Sequence, residues 1–220
     1  MISTQEHVRV ARSELILGGQ KSGKSRRAEA LAQGWLSQST THKAVLIATA
    51  QPWDDEMRQR IARHQADRLL RVPGMATVEE PLLLAQAIGT HSAANTLIVV
   101  DCLTLWLTNW LMPADAAQTG RHAATIIAAG DPCQVEKFMN NQAVAPVEHA
   151  EVAIFLDAVA QAPGPVVLVG NEIGLGVIPM GAEVRTFVDA LGMLNQRMAQ
   201  VCQRVTLMAA GLPLTLKESS

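Results

Sequence analysis

The stretch Glu14-Leu-Ile-Leu-Gly-Gly-Gln-Lys-Ser-Gly-Lys-Ser25 decides how the rest of the chain is read. Its first part, ELILGG at 14–19, is a short aliphatic run closed by glycine, the pattern of a buried strand. The stretch KSRRAEALAQGWLS at 24–37 has a helical period. Between them Gly18, Gly19, Gln20, Lys21, Ser22, Gly23, Lys24 and Ser25 satisfy G-x-x-x-x-G-K-[ST]. A strand, a glycine-rich turn and a helix start, in that order, aim backbone N–H groups and the helix dipole at phosphate oxygens. Glycines are required because side chains would block the approach. Lys24 is then expected to reach the β and γ phosphates of ATP or GTP, and the Ser25 hydroxyl to ligate Mg2+. Taken without its flanks the octapeptide is only a glycine-rich turn with a solvated lysine; the strand and helix on either side favour the nucleotide site.

Working outward, four more apolar runs resemble the first: AVLIATA at 44–50, TLIVVD at 96–101, PVVLVGNE at 165–172 and RVTLMAAG at 204–211. Runs of this length without alternation read as strands buried on both faces, the mark of a parallel sheet. Helical patterns lie between them at 24–37, 54–70, 81–89, 103–112, 148–162 and 183–202. Strand then helix, repeated, places helices on both faces through right-handed crossovers. The expected fold is α/β, a RecA-like P-loop domain with a mostly parallel sheet. The closing TLMAAGLPLTLK reads as a C-terminal antiparallel hairpin adding edge strands. We expect one domain over 1–220, with 1–13 as an N-terminal extension and 113–150 as an insertion or mobile excursion.

Composition narrows the function classes. The 220 residues carry 18 Lys+Arg and 20 Asp+Glu, a net charge of −2, and no long basic run. Electrostatic binding to nucleic acid or an acidic membrane surface is therefore not expected, and any bound anion must be held by local geometry. Cys102, Cys133 and Cys202 form no metal or disulfide pattern. The N-terminal MISTQEHVRVARSE has no apolar h-region, and no run suits a membrane span, so a cytoplasmic protein is expected.

A P-loop needs a carboxylate for its metal at the end of a neighbouring strand. Asp101, closing TLIVVD, supplies one at the carboxyl edge where α/β sheets bind ligands; equally, it is placed to cap the helix that begins near Leu103. Ala48, Thr49 and Ala50 end another strand at that edge and are candidates to line the nucleotide pocket, or merely begin a loop. Met57, Ile61 and His64 share one face of the second helix, which on spacing alone reads as a core stripe.

Taken together, several segments resemble one family, the bifunctional adenosylcobinamide kinase / adenosylcobinamide-phosphate guanylyltransferases of cobalamin biosynthesis. They are GGQKSGKSRRAE at 18–29, IATAQPWDDEMRQRIARHQADR at 47–68, TVEEP at 77–81, VVDCLTLWLTN at 99–109, NEIGLGVIP at 171–179 and RTFVDALGMLNQRMA at 185–199. The resemblance implies phosphorylation of adenosylcobinamide by ATP or GTP. It then implies transfer of GMP from GTP to the phosphate, through a GMP-histidine intermediate, with release of pyrophosphate. Of the six histidines only His64 lies in a strongly matched segment, at the family's guanylylated position. A neutral imidazole can attack the α-phosphorus and form a phosphoramidate labile enough to pass GMP onward.

The resemblance also implies guanine-nucleotide contacts for Gln65, Ala66, Asp67 and Arg68, and for Glu79 a carboxylate that accepts from guanine N1–H and N2–H2. Asn171, Glu172, Arg185, Asp189 and Asn195 recur in its pattern; Arg185 and Asp189 also fit an ordinary i,i+4 pair. Met75 stands where the family commonly has tryptophan. The partners implied are adenosylcobinamide, its phosphate, and further copies of the chain in a homotrimer, with the helix bearing Trp106 and Trp110 a candidate interface or plain core. Two other readings fit the P-loop: a kinase whose histidine is structural, and a nucleotide-dependent switch or assembly ATPase.

Overall fold

A computed structural model of the chain describes residues 9–112, 144–176 and 179–219, the side chains of 144–149 excepted. Its centre is a seven-stranded sheet: β1 (Ser13–Gly18), β2 (Lys43–Ala48), β3 (Met75–Glu79), β4 (Thr96–Val100), β5 (Val166–Val169), β6 (Arg204–Ala209) and β7 (Leu212–Glu218). The spatial order is β3-β2-β4-β5-β1-β6-β7; every pairing is parallel except β6 with β7. The mostly parallel α/β fold with a C-terminal antiparallel hairpin is therefore present. The hairpin contributes only one antiparallel strand, because β6 itself runs parallel to β1. Its reversal is made by Ala210 and Gly211, with φ of 50° and 81°, the pair of positive values that a two-residue turn of matching twist demands.

The inner strands form because their sequences bury both faces: β1, β4 and β5 are buried throughout. Helices α1 (Lys24–Gln38), α2 (Asp55–Arg71), α3 (Leu84–His91), α4 (Leu103–Leu111), α5 (Val144–Gln161) and α6 (Ala182–Val201) connect them. One core joins the sheet to α3, α4, α5 and α6 through Leu84, Leu103, Trp106, Phe155, Leu191 and Met198; a second, on the opposite face, joins it to α1 through Ala28, Leu31 and Ala32. Helices thus cover both faces.

Three expectations need correction or a choice between readings. β3 was not expected as a strand; it is the sheet's edge, and only its first residue is buried. Of the two readings of Trp106 and Trp110, plain core holds: they are 1% and 7% exposed, each donating its indole N–H to the Leu82 carbonyl, so neither side chain is presented to a partner. The excursion expected at 113–150 lies outside the described residues up to 143, while 144–150 already belong to α5.

A cation cluster deep in the sheet fixes α1. Glu14 is fully buried and pairs with Arg27 at 2.8 Å and Arg204 at 3.4 Å, while the Thr206 hydroxyl donates to it at 2.8 Å. A carboxylate so enclosed is tolerable only with its charge matched and its lone pairs used.

Candidate active site

The phosphate loop is built by close approach. At Gly18 the backbone has φ of 152°, and a Cβ there would stand 2.5 Å from the Met208 main-chain oxygen and 2.6 Å from Ser22 Oγ. Lys21 holds a left-handed φ of 57°, a conformation that costs a non-glycine residue about 1–2 kcal/mol and is kept where the backbone must turn its N–H groups inward. The Gly211 N–H donates to the Ser22 carbonyl at 3.0 Å, so the β6–β7 turn braces the loop from behind. Lys24 Nζ spans the loop, donating to the carbonyls of Gly18 at 3.0 Å and Gly19 at 2.6 Å. Its pKa is lowered, first by burial, although it keeps these two acceptors.

The two helix starts at this edge are finished differently. α2 is capped by Asp54, whose carboxylate accepts from Met57 N at 2.7 Å, and carries Asp55 and Glu56 in its first turn. α1 starts at Gly23 with no side-chain cap and no acidic residue in its first turn. Its leading N–H groups and positive dipole end are left for an anion supplied from outside, which is what the loop geometry serves.

The loop opens into a cavity of about 660 Å3, within the range of small-molecule sites. Lys21, Lys24, Arg26, Arg60, Arg63, Arg68 and Arg71 line it, against Glu29, Glu56, Asp67, Glu79 and Asp101. A chain with a net charge of −2 therefore concentrates positive charge at this one place. His64 is exposed and lies in the same wall, with Met57 and Ile61 beside it, so the apolar stripe of α2 faces the cavity rather than a core. Only Arg68 of this helix is buried. Although the residue keeps exposed surface, the cavity wall partly desolvates its ring, which lowers the His64 pKa first, followed by the charges of Arg60, Arg68 and Arg63, with Asp101 opposing. The net direction favours the neutral imidazole over its protonated form.

Asp101 lines the cavity at the end of β4. That strand is not the immediate neighbour of β1, as the sequence led us to expect, because β5 lies between them. Burial raises the carboxyl's pKa, while hydrogen bonds from the Thr49 N–H and hydroxyl and the charges of Arg68 and His64 lower it. The helix α4 is not capped by Asp101 but by Cys102, whose Sγ accepts from Leu105 N at 3.4 Å. Ser25 and Asp101 offer hard oxygen donors in one cavity, a set that fits Mg2+, which keeps few protein ligands and takes the rest from phosphate and water. Among the described residues no cluster of three or more His, Cys, Asp or Glu exists that could hold a metal by itself.

The remaining candidates separate cleanly. Gln20, Lys21, Ser22, Gly23, Ala48, Ala50, Gln65, Asp67, Arg68 and Glu79 line the cavity together with Met75 and Asn171. Ala66 is exposed and does not line it. Thr49, expected to do so, is fully buried on the other side of its strand end. Of the adjacent carboxylates Glu79 and Glu80, Glu80 accepts from the N–H groups of Leu82 and Leu83 and organises the approach to α3, whereas Glu79 faces the cavity. Arg185 donates to the carbonyls of Pro179 and Met180 rather than pairing with Asp189. Asn195 donates to the Asn171 carbonyl at 3.1 Å and so fixes the loop after β5. Missed in the sequence were Arg60, which helical spacing would have shown, since Arg60, His64 and Arg68 recur every four residues, and Arg63, which that spacing does not mark.

Residues 14–216 match the family described as cobinamide kinase / cobinamide phosphate guanyltransferase. The bifunctional adenosylcobalamin biosynthesis protein CobP of Pseudomonas aeruginosa is 40% identical over 205 residues, covering 93% of this chain and 96% of that one. The bifunctional adenosylcobalamin biosynthesis proteins CobU of Escherichia coli and Salmonella typhimurium are 31% and 32% identical, each over 92% of this chain and 98% of theirs. Among solved structures, the flagellar accessory protein FlaH of Methanocaldococcus jannaschii aligns with a TM-score of 0.45 and 12% identity over 96% of this chain and 80% of that one, too distant to bear on the site.

Proposed function

The chain belongs to the cobinamide kinase / cobinamide phosphate guanyltransferase family, and on that premise we propose how its own residues divide the two reactions. It is a bifunctional enzyme of cobalamin biosynthesis, phosphorylating cobinamide and then transferring a guanylyl group to cobinamide phosphate. In the first step the loop 18–25 and Lys24 hold the triphosphate of ATP or GTP. The substrate's hydroxyl oxygen attacks the γ-phosphorus, its proton passes to solvent water, and the nucleoside diphosphate leaves with the electron pair of the broken P–O bond. Ser25 and Asp101 would hold Mg2+, which when bound neutralises charge on the phosphates.

In the second step the lone pair of neutral His64 forms a P–N bond at the α-phosphorus of GTP while pyrophosphate departs with the α–β bridging oxygen. A phosphate oxygen of adenosylcobinamide phosphate then displaces the imidazole, giving adenosylcobinamide-GDP. Arg60, Arg63 and Arg68 both keep the ring neutral and meet the charge that develops on pyrophosphate. Glu79 accepts from the guanine edge, with Gln65 and Asp67 beside it. The observation that carries this reading is the single cavity shared by Lys24, Asp101 and His64.

We read the one continuous sheet as a single domain; of the additions expected at 1–13 and 113–150, Ser13 opens β1 and 144–150 belong to α5. A cytoplasmic homotrimer goes with this reading. Support for an oligomer comes from β7, which among the described residues is an edge strand without a second neighbour and has Leu212, Leu214 and Leu216 exposed, an edge open to pairing. Among the described residues no helix is long and apolar enough to cross a membrane.

The test is chromatography of the corrinoid products from adenosylcobinamide, ATP and GTP. The wild type gives the GDP derivative; with His64→Ala, phosphorylated corrinoid accumulates unconverted; with Lys24→Ala, neither product forms. Conversion by His64→Ala at the wild-type rate overturns the assignment.

A further inference from the structure

Thr49 ends the strand beside Asp101, and its chemistry is not used by the reactions above. It is fully buried, an unusual place for a hydroxyl unless its bonds are made. The reason lies in how β2 and β4 part. Their parallel ladder runs to Ile47 against Val100, and the Asp101 N–H still donates to the Ile47 carbonyl at 3.1 Å. The next ladder bond would take the Thr49 N–H to a main-chain carbonyl of the partner strand. Instead it goes to Asp101 Oδ1 at 3.0 Å, so the carboxylate stands in for the missing backbone acceptor. The Thr49 hydroxyl reaches the same oxygen at 3.0 Å and the Cys102 carbonyl at 2.8 Å, sharing its one proton between them.

Thr49 is itself fixed from behind. Asn109, buried on α4, donates its side-chain amide to the Thr49 carbonyl at 2.9 Å and to the Pro81 carbonyl at 3.1 Å. The result at Asp101 is asymmetric. Oδ1 is held by two donors of one residue, whereas Oδ2 takes no hydrogen bond among the described residues and is not among the buried unpartnered atoms, although Asp101 lines the cavity.

We propose that Thr49 is the positioning residue of Asp101: by holding Oδ1 from two sides it aims Oδ2 into the cavity, where that oxygen takes the divalent cation accompanying the nucleotide phosphates. This rests on the reading of Asp101 as the metal carboxylate. Hydrogen bonds to the outer side of a metal ligand set its direction, and their loss typically weakens metal affinity about 10-fold to 100-fold.

The experiment is Mn2+ binding to the full-length protein in the presence of a non-hydrolysable GTP analogue, followed by electron paramagnetic resonance of free Mn2+, with thermal unfolding measured alongside. Thr49→Val, which replaces the hydroxyl by a methyl of the same size, is expected to bind Mn2+ about 10-fold to 100-fold more weakly. Thr49→Ser, which keeps the donor, is expected to restore wild-type affinity, and Asp101→Asn to abolish tight binding. A merely structural Thr49 would lower the unfolding temperature and leave Mn2+ affinity untouched, and that result with Asp101→Asn still defective overturns the proposal alone. Wild-type Mn2+ affinity in Asp101→Asn overturns the metal reading and the proposal with it. Should Thr49→Val fail to fold, Thr49→Ala removes the same hydroxyl without placing a methyl against the carboxylate and decides in the same terms.

Discussion

Replacing Gly18 by alanine loads the phosphate loop at a point where the structure leaves no room. The new Cβ would sit 2.5 Å from the Met208 carbonyl oxygen and 2.6 Å from Ser22 Oγ. Ser22 can rotate its hydroxyl away. Met208 cannot move its carbonyl, because it belongs to β6 and is paired in register with Gly18 itself. The backbone angle, φ of 152°, adds a conformation rarely open to a side chain. Strain of that kind costs about 1–3 kcal/mol, and overpacking of a filled site about 1–3 kcal/mol more. In a chain of this length each kcal/mol lowers the unfolding midpoint by about 2–4 °C, so a loss on the order of 10 °C is expected. Gly19→Ala is the control: no atom lies within 4 Å of its Cβ, and its stability is expected to stay within about 0.5 kcal/mol of wild type. Thermal unfolding by circular dichroism, with fluorescent GTP binding measured in parallel, decides. Gly18→Ala should melt early and bind nucleotide weakly. A Gly18→Ala midpoint equal to wild type, or a Gly19→Ala loss as large, refutes the steric account.

Two further outcomes follow from the charges around the site. His64 is depressed below its ordinary 6.5, and the neutral ring is the reactive one, so guanylyl transfer should be flat above that pH and fall only at lower pH. Arg60→Gln removes one depressing charge and should move the acid limb upward; a limb that stays in place, or moves down, contradicts the electrostatic assignment. In the second, Arg27→Met removes the cation 2.8 Å from fully buried Glu14, leaving Arg204 at 3.4 Å as its remaining cation beside the Thr206 hydroxyl. Loss of a partner from a buried pair costs about 3–5 kcal/mol, here toward the lower end. Urea titration should show a lower midpoint at unchanged slope, and an unshifted midpoint would dismiss the cluster as a support of α1.

The inner strands were legible because burial on both faces leaves unbroken aliphatic runs, as in Thr96–Val100. Met75–Glu79 escaped notice for the opposite reason: an edge strand with one buried residue has neither a run nor an alternation to read. Strand order is also absent from local sequence, which is why β5 between Asp101 and the phosphate loop came as a correction. At the site, the Met57–Ile61–His64 stripe shows what periodicity cannot distinguish. A helix face turned to a cavity has the same spacing as one turned to a core, and only the tertiary structure tells which. Thr49 was readable in principle: side chains alternate along an extended segment, so if Ala48 and Ala50 face the cavity, Thr49 faces away from it. The helix expected at 54–70 is α2, and the Asp54 cap with Asp55 and Glu56 in its first turn explains why it begins there.

The central claim is that His64 carries the guanylyl group. Wild-type protein incubated with α-labelled GTP and Mg2+, without corrinoid, should acquire label that survives base, is released by acid and maps to the peptide containing His64, while His64→Ala acquires none. Wild-type protein that takes up no label, or His64→Ala that takes up as much, contradicts it.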